Sequence, residues 1–339
     1  MADTLTTLSL ITLAQEYRGD VVRQINRRCI ALKLLPIVPG SGKNVAWAPE
    51  ASGQLGENYS EGADAANFGS DGQASATLNW ALYRANFHVS NLAMDAAAGA
   101  SSPVGDRALW GRNLVNASAK LADLVEKAIF TGGGTGTLIA GLDVAIGSAS
   151  NTYAGIDRSD SANAYWRPTV SDPGSSTAIS FALIRSDLAS IYTACGEAPN
   201  VAFVGPQTFN KVAGLFDGTR RIVNIETSRG KVDLDWGYGA VEVDGCVFVK
   251  AKDATEGKVY YVNTEYAHVE VLPPASQAMI EAASMSVAAD DGFGAIPLSF
   301  KYEKLAKTGA SEKAMVSSTA QLVVSRPNAC GVRLNVAYS

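Results

Sequence analysis

From Asn44 to Tyr83 the chain carries no lysine or arginine, while Glu50, Glu57, Glu61, Asp64 and Asp71 place five negative charges there. Such a stretch, rich in Gly, Ala and Ser, holds too little apolar surface to fold onto a core by itself. Its ends are different. Asn44-Val45-Ala46-Trp47-Ala48 and the run from Thr77 to Ser90, with Leu78, Trp80 and Leu82 alternating, carry the period-2 pattern of strands. The spacing predicts a long projecting hairpin over 44–90 that takes its order from a neighbouring molecule.

The segment before it has the opposite charge. Residues 1–43 hold Arg18, Arg23, Arg27, Arg28, Lys33 and Lys43 against Asp3, Glu16 and Asp20, which sums to +3. The cluster Pro36-Ile37-Val38-Pro39-Gly40-Ser41-Gly42 closes this arm. Its prolines remove backbone donors and helical freedom, so Leu34 to Gly42 is expected to run extended.

After the hairpin, Trp110, Leu114, Ala117, Leu121, Leu124 and Ala128 recur at spacings of four and three, which predicts one amphipathic helix over 103–131. Ser102 and Pro103 supply its start and Gly132-Gly133-Gly134 its stop. At 1.5 Å per residue it would be about 40 Å long. A second helix is expected over 178–195, with Phe181, Ile184, Leu188 and Ile191 on one face and Gly196 as its stop. Pro206 opens a third, reaching Phe216. Strands are expected at 201–204, at 241–243 and 247–249 around Asp244-Gly245, at 259–262, and at 321–324 and 332–336 around Arg326-Pro327-Asn328. The class is α+β, with no β-α-β run and no internal repeat.

The remaining composition narrows function by exclusion. A chain of 339 residues that is 47% hydrophobic is globular and long enough for more than one unit. A formal net charge of −5 argues against a protein devoted to coating duplex nucleic acid. Cys29, Cys195, Cys246 and Cys330 show no metal-site spacing and are expected to stay as free thiols in a reducing cytoplasm. No secretion signal and no run of about 18 apolar residues is present. His88 and His268 sit in strand-like, apolar surroundings and are read as packed or surface residues. Thr131-Gly132-Gly133-Gly134-Thr135-Gly136-Thr137 lacks the lysine of a phosphate loop, and Asp290-Asp291-Gly292 lacks the further ligands of a calcium loop. No catalytic, cofactor or metal site is expected.

The parts follow one another as basic arm, acidic hairpin, long helix, mixed α/β unit and terminal strands. With the words Gly141-Leu142, Tyr153-Ala154-Gly155-Ile156-Asp157-Arg158, Tyr165-Trp166-Arg167 and Arg326-Pro327-Asn328-Ala329, this order resembles the major capsid proteins of tailed bacteriophages, of the Hong Kong 97 type. The resemblance covers nearly the whole chain. It implies an N-terminal arm (1–43), an extended loop (44–90), a peripheral domain (91–170) with its spine helix (103–131), an axial domain (171–275) and a return to the peripheral domain (276–339). It further implies pentamers and hexamers tiling an icosahedral shell around double-stranded DNA, assembled in a bacterial cytoplasm. A separate scaffolding protein, a portal and a decoration protein are the implied partners. The packaged DNA would be contacted only weakly, and no membrane is involved.

Two departures bear on mechanism. Some members weld neighbours through a loop lysine, and this loop has none, which excludes that route. Members with an N-terminal scaffolding segment show a long helical region before the arm, whereas here arm-like sequence begins almost at Met1, so a separate scaffolding protein or none is expected. The expected contacts between subunits are Arg23, Arg27 and Arg28 of the arm with Glu57, Glu61 and Asp64 of the hairpin. Trp47 and Trp80 would pack against each other, against a neighbouring spine helix, or only pin the hairpin register. The rival readings are an encapsulin cage of the same fold and a hydrolase or lyase using Asp157-Arg158 and Tyr165.

Overall fold

The structure is a computed structural model, and it describes residues 29–53, 57–58, 60–62, 64, 69–98, 106–216, 225–227, 230–232, 240–273, 298–307 and 309–338. The chain divides into two compact units, one formed by Met1–Lys33, Ala81–Glu126 and Val271–Ala320, the other by Leu34–Trp80, Lys127–Glu270 and Gln321–Ser339.

In the first unit the predicted long helix is present as Asp106–Thr131, 26 residues, of which those up to Glu126 belong here. The expected cap at Ser102 and Pro103 lies outside the described residues. A ladder of Ala81–Ser90 against Ser311–Ala320, in unbroken antiparallel register, supplies the sheet, and Lys301–Leu305 pairs on its other side. Phe87 meets Trp110 edge-on at 5.0 Å, and Trp110 Nε1 donates to Tyr302 Oη at 3.1 Å, so helix and sheet share one aromatic joint. A short helix the sequence did not announce, Asn91–Ala98, follows the first strand. Its Ala93 packs with Val89 and Leu109.

The end of the basic arm is fixed in this unit. Ile30–Leu34 forms a helical turn whose first amides are orphaned by geometry. The carboxylate of Glu126 accepts both, from Ala31 N at 2.8 Å and Leu32 N at 3.0 Å. Glu126 is itself buried, so an acid on the long helix doubles as the cap of the arm.

The second unit is built on a six-stranded sheet in the order Val241–Val243, Cys246–Lys250, Val201–Val204, Val259–Val262, Gly331–Arg333, Thr169–Ser171. Helices Phe181–Cys195 and Pro206–Gly214 bury Ile184, Leu188, Ile191, Phe209 and Val212 on one face, against Ala202, Val204, Phe248 and Tyr261. On the other face Phe203 and Tyr260 meet Phe130, at 5.6 and 6.1 Å. Both faces are covered, which is why Val201-Ala202-Phe203-Val204 is apolar throughout instead of alternating.

Most elements lie where the sequence placed them. Ser180 Oγ caps the Phe181 helix by accepting from Leu183 N at 3.3 Å, and Gly196 ends it at φ 80°. Asp244-Gly245 turns a hairpin with both residues at positive φ. Gly132 stops the long helix where a Cβ would stand 2.3 Å from Ile139 O, so the returning chain requires glycine there.

Two expectations change. The stretch Thr77–Ser90 is two strands divided at Trp80: Ala76–Asn79 pairs with Asn44–Trp47, whereas Ala81–Ser90 pairs with Ser311–Ala320. Continuous alternation does not report a change of partner. The six-stranded sheet also contains two β-α-β crossovers among the described residues. Thr169–Ser171 leads through helix Phe181–Cys195 to the parallel strand Val201–Val204, with Gly331–Arg333 and Val259–Val262 between them. Val201–Val204 in turn runs into helix Pro206–Gly214 and pairs in parallel with Cys246–Lys250. Antiparallel strands and hairpins interleaved with these crossovers hide the alternation that a repeated β-α-β unit would show.

Candidate functional site

The acidic hairpin leaves the second unit through a short ladder, Asn44–Trp47 against Ala76–Asn79, with Val45 facing Leu78 and both buried. A second ladder, Glu50–Ser52 against Gly72–Gln73, continues it after a register shift. The root has a third contact, from Thr77 N to Ala154 O at 2.9 Å. Ala154 and Gly155 have φ of 52° and 83°, which makes Tyr153–Ile156 a tight two-residue turn and aims the Ala154 carbonyl at the hairpin.

Beneath that turn lies Arg158, fully buried and facing no carboxylate among its hydrogen-bond partners. Its guanidinium donates to Trp166 O (2.9 Å), Ala145 O (2.7 Å), Val144 O (3.4 Å), Ser148 O (3.3 Å) and Asn151 Oδ1 (3.0 Å). It also stands 4.9 Å from the Tyr153 ring centroid. Burial pulls its pKa down to about 10, so the group remains a cation at neutral pH, neutralised by carbonyl dipoles at the end of Leu142–Ala145. Arg158 gathers four backbone carbonyls, from Val144, Ala145, Ser148 and Trp166, under the hairpin root.

Trp166 carries this support outward. It stacks on Tyr153 at 6.0 Å and touches Trp47 at 6.2 Å, and its Nε1 donates to Tyr153 O at 3.2 Å. Trp47 also meets Tyr153 at 6.4 Å. Trp80 is engaged separately, donating from Nε1 to Gly42 O at 3.0 Å. A Cβ on Gly40 would lie 2.5 Å from the Trp80 ring, so the end of the arm passes close against this indole. The two tryptophans thus hold the hairpin root from different sides, each within its own chain.

Beyond the root, Glu50, Glu57, Glu61, Asp64 and Asp71 are all exposed. Arg23, Arg27 and Arg28 lie outside the described residues. Alongside the root is an open groove of about 670 Å³ lined by residues of this unit, among them Trp47, Glu50, Tyr165, Trp166, Tyr266 and Arg326. Arg326 and Asn328 on this groove had drawn notice in the sequence only as part of a family-like word. Nothing in the spacing announced that they would meet the hairpin.

No chemistry of turnover is assembled here. Asp157 accepts from Ser159 N at 2.9 Å and Ser159 Oγ at 2.7 Å, bonds that hold its pKa below the ordinary carboxylate range. Arg158 is consumed by carbonyls, so Asp157, Arg158 and Tyr165 do not form a catalytic cleft. His268 stands 3.4 Å from Glu270 and His88 sits within the Ala81–Ser90 strand. Among the described residues no group of three or more His, Cys, Asp or Glu is arranged to hold a metal ion. Cys29, Cys195, Cys246 and Cys330 form no disulfide with one another.

The family profile described as SU10 major capsid protein matches residues 56–337. No curated protein matches the sequence at a significant level. Among solved structures, the capsid asymmetric unit of cyanophage A-1(L) superposes with a TM-score of 0.72 at 18% identity, over 98% of this chain and 99% of that one. The capsid of a native GTA particle gives 0.61 at 12% identity over 95% of each chain. A holo-encapsulin complex from Synechococcus elongatus PCC 7942 gives 0.56 at 12% identity, over 99% of this chain and 97% of that one. At these identities the likeness is one of fold, and that fold is the Hong Kong 97-type α+β capsid fold.

Proposed function

Because the chain belongs to the SU10 major capsid protein family and is a non-enzymatic virion shell subunit of a tailed phage, we propose that its arm and hairpin are the parts through which copies join. The observation that carries this reading is the hairpin itself: five exposed carboxylates, no cation between Asn44 and Tyr83, and, among the described residues from 44 to 79, burial only of Val45, Ala76 and Leu78 at the root. An isolated two-stranded ribbon is marginal in water, so its extension is best supported by a partner surface. The arm, at +3, has the complementary charge, and its last turn is anchored by Glu126.

In this reading residues 1–43 are the arm, 44–90 the extended loop, 91–170 the peripheral domain with its spine helix, 171–275 the axial domain and 276–339 the returning strands. Arg23, Arg27 and Arg28 of one subunit face Glu57, Glu61 and Asp64 of the next, with Trp47 and Trp80 setting the angle from which the hairpin departs. Standard interfaces of about 1,600 Å², each modest, become decisive when every subunit makes several. Pentamers and hexamers close the shell around double-stranded DNA, with a portal, a separate scaffolding protein and a decoration protein as further partners. Exposed acids on the hairpin argue against that segment touching DNA.

Electron microscopy of the expressed full chain, alone and with a scaffolding partner, tests the reading. Closed particles, tubes or hexameric sheets are the expected outcome. A chain that stays monomeric at high concentration in both conditions would sink it.

A further inference from the structure

Resting on the assembly reading above, we propose that the groove at the hairpin root is the seat of the basic arm of a second copy of this chain. The groove has a volume of about 670 Å³, and Trp47, Tyr165, Trp166 and Tyr266 give it aromatic walls while Glu50 supplies a carboxylate at its edge. Aromatic faces with a nearby carboxylate suit guanidinium groups, which stack on rings and pair with anions at once. The wall already shows such a contact, with the Arg326 guanidinium 5.2 Å from the Tyr266 ring centroid.

Arg326 does not repel a cationic guest, because its own charge is matched. Its Nη1 donates to Glu197 Oε1 at 2.8 Å and to Tyr266 Oη at 3.2 Å, and its Nη2 donates to Cys195 O at 2.9 Å. Two further polar atoms point to a peptide. Trp47 Nε1 is a buried donor and Asn328 Oδ1 a buried acceptor, both without a hydrogen-bond partner among the described residues, and both residues line the groove. Unpaired buried polar groups are uncommon in folded proteins. A peptide backbone or an arginine side chain offers the matching acceptor and donor. The strand Glu50–Ser52, also in the lining, belongs to a two-stranded ladder, so the edge away from Gly72–Gln73 is open to a further strand among the described residues.

The arm fits this chemistry. In an extended segment the sequence Arg23-Gln24-Ile25-Asn26-Arg27 puts Arg23, Ile25 and Arg27 on one side, two cations about an apolar residue. Asp20 is the only acid between Arg18 and Arg28, so the segment is strongly cationic. The arm thereby binds at the fixed root of the hairpin as well as being drawn toward its acidic extension.

The test uses the full chain with Ile25 replaced by the photo-crosslinker benzoylphenylalanine, mixed with an equal amount of 15N-labelled chain, assembled, irradiated and digested. Crosslinks joining light and heavy peptides, from position 25 to residues 47–53, 165–166 or 326–328, are expected, and Glu50→Gln combined with Asn328→Leu should cut their yield several-fold. Crosslinks confined to a single isotope, or falling outside the groove, overturn the proposal. If particles form and the crosslinks lie elsewhere, the groove assignment fails while the assembly reading stands. If the unsubstituted chain forms no assemblies, both fall together.

Discussion

Asp187 and Arg333 form a buried two-point ion pair, with Arg333 Nε 2.5 Å from Asp187 Oδ2 and Arg333 Nη2 2.6 Å from Oδ1. The pair joins helix Phe181–Cys195 to the strand Gly331–Arg333, residues that are 146 positions apart. Ser171 Oγ donates to Asp187 at 2.6 Å and Tyr261 Oη at 3.2 Å, so the carboxylate is fully occupied. Burial first, and then the Asp187 charge beside it, holds the Tyr261 hydroxyl well above its ordinary pKa.

Breaking this pair on one side should be costly. Arg333→Met leaves a buried carboxylate facing only two hydroxyls, and a loss of about 3–5 kcal/mol in unfolding free energy is expected. Denaturant titration of the variant subunit measures it. A loss below about 1 kcal/mol would show that the pair is structurally idle.

The arm's attachment can be loosened without touching the core of the other unit. Glu126→Leu orphans the Ala31 and Leu32 amides, and the expected cost is about 1–3 kcal/mol. Hydrogen exchange should quicken at residues 30–34 while the strands 201–204 and 259–262 stay protected. Uniform acceleration over the whole chain would argue that Glu126 supports the fold at large.

Neutralising the hairpin should act on association and not on folding. Glu57, Glu61 and Asp64 are exposed, so Glu57→Gln, Glu61→Gln and Asp64→Asn together should leave thermal unfolding of the free subunit within about 0.5 kcal/mol of the parent. Assembly followed by light scattering should slow, and its sensitivity to salt should shrink, because the attraction being removed is one that ions screen. Equal rates and equal salt dependence in the two proteins would eliminate the charge argument.

The thiols give a pH prediction. Burial raises the Cys330 pKa from an ordinary 9.0 to about 12, and Cys246 is raised for the same reason. A thiol whose folded pKa is raised leaves stability untouched below about pH 9. The unfolded chain alone loses its proton between that pH and about 12, so stability falls across this window. Equilibrium unfolding at pH 8 and pH 10 should therefore differ, and Cys330→Ala should reduce the difference. At pH 8 a maleimide should reach the part-exposed Cys195 before buried Cys29, Cys246 and Cys330. Labelling of Cys330 first would contradict its burial.

The groove illustrates why a site can be spelled in the sequence and still not be seen. Tyr165-Trp166-Arg167 and Arg326-Pro327-Asn328 were noticeable as words, yet they stand 161 positions apart by residue number, counting from Tyr165 to Arg326. Tyr153 links them, stacking on Trp166 and accepting from Val324 N at 2.8 Å, while Arg158 holds the Trp166 side through backbone carbonyls. Carbonyl acceptors leave no trace in residue identity. The same blindness hid the cap at Glu126, an ordinary acid on an amphipathic helix until the arm folds back to it.

By itself the sequence determined the elements whose cause is local. The long helix follows from its 3.6-residue periodicity and its Gly132 stop, the Pro206 helix from its opening proline, the Asp244-Gly245 hairpin from its turn, and the lysine-free acidic extension from composition alone. Only the tertiary structure decided that the chain changes partner at Trp80, that Arg158 lies buried and not in a cleft, and that Asp187 finds Arg333. Periodicity and capping act over a few residues, whereas pairing, burial of a charge and the lining of a groove depend on which distant segments the folded core brings within a few ångströms.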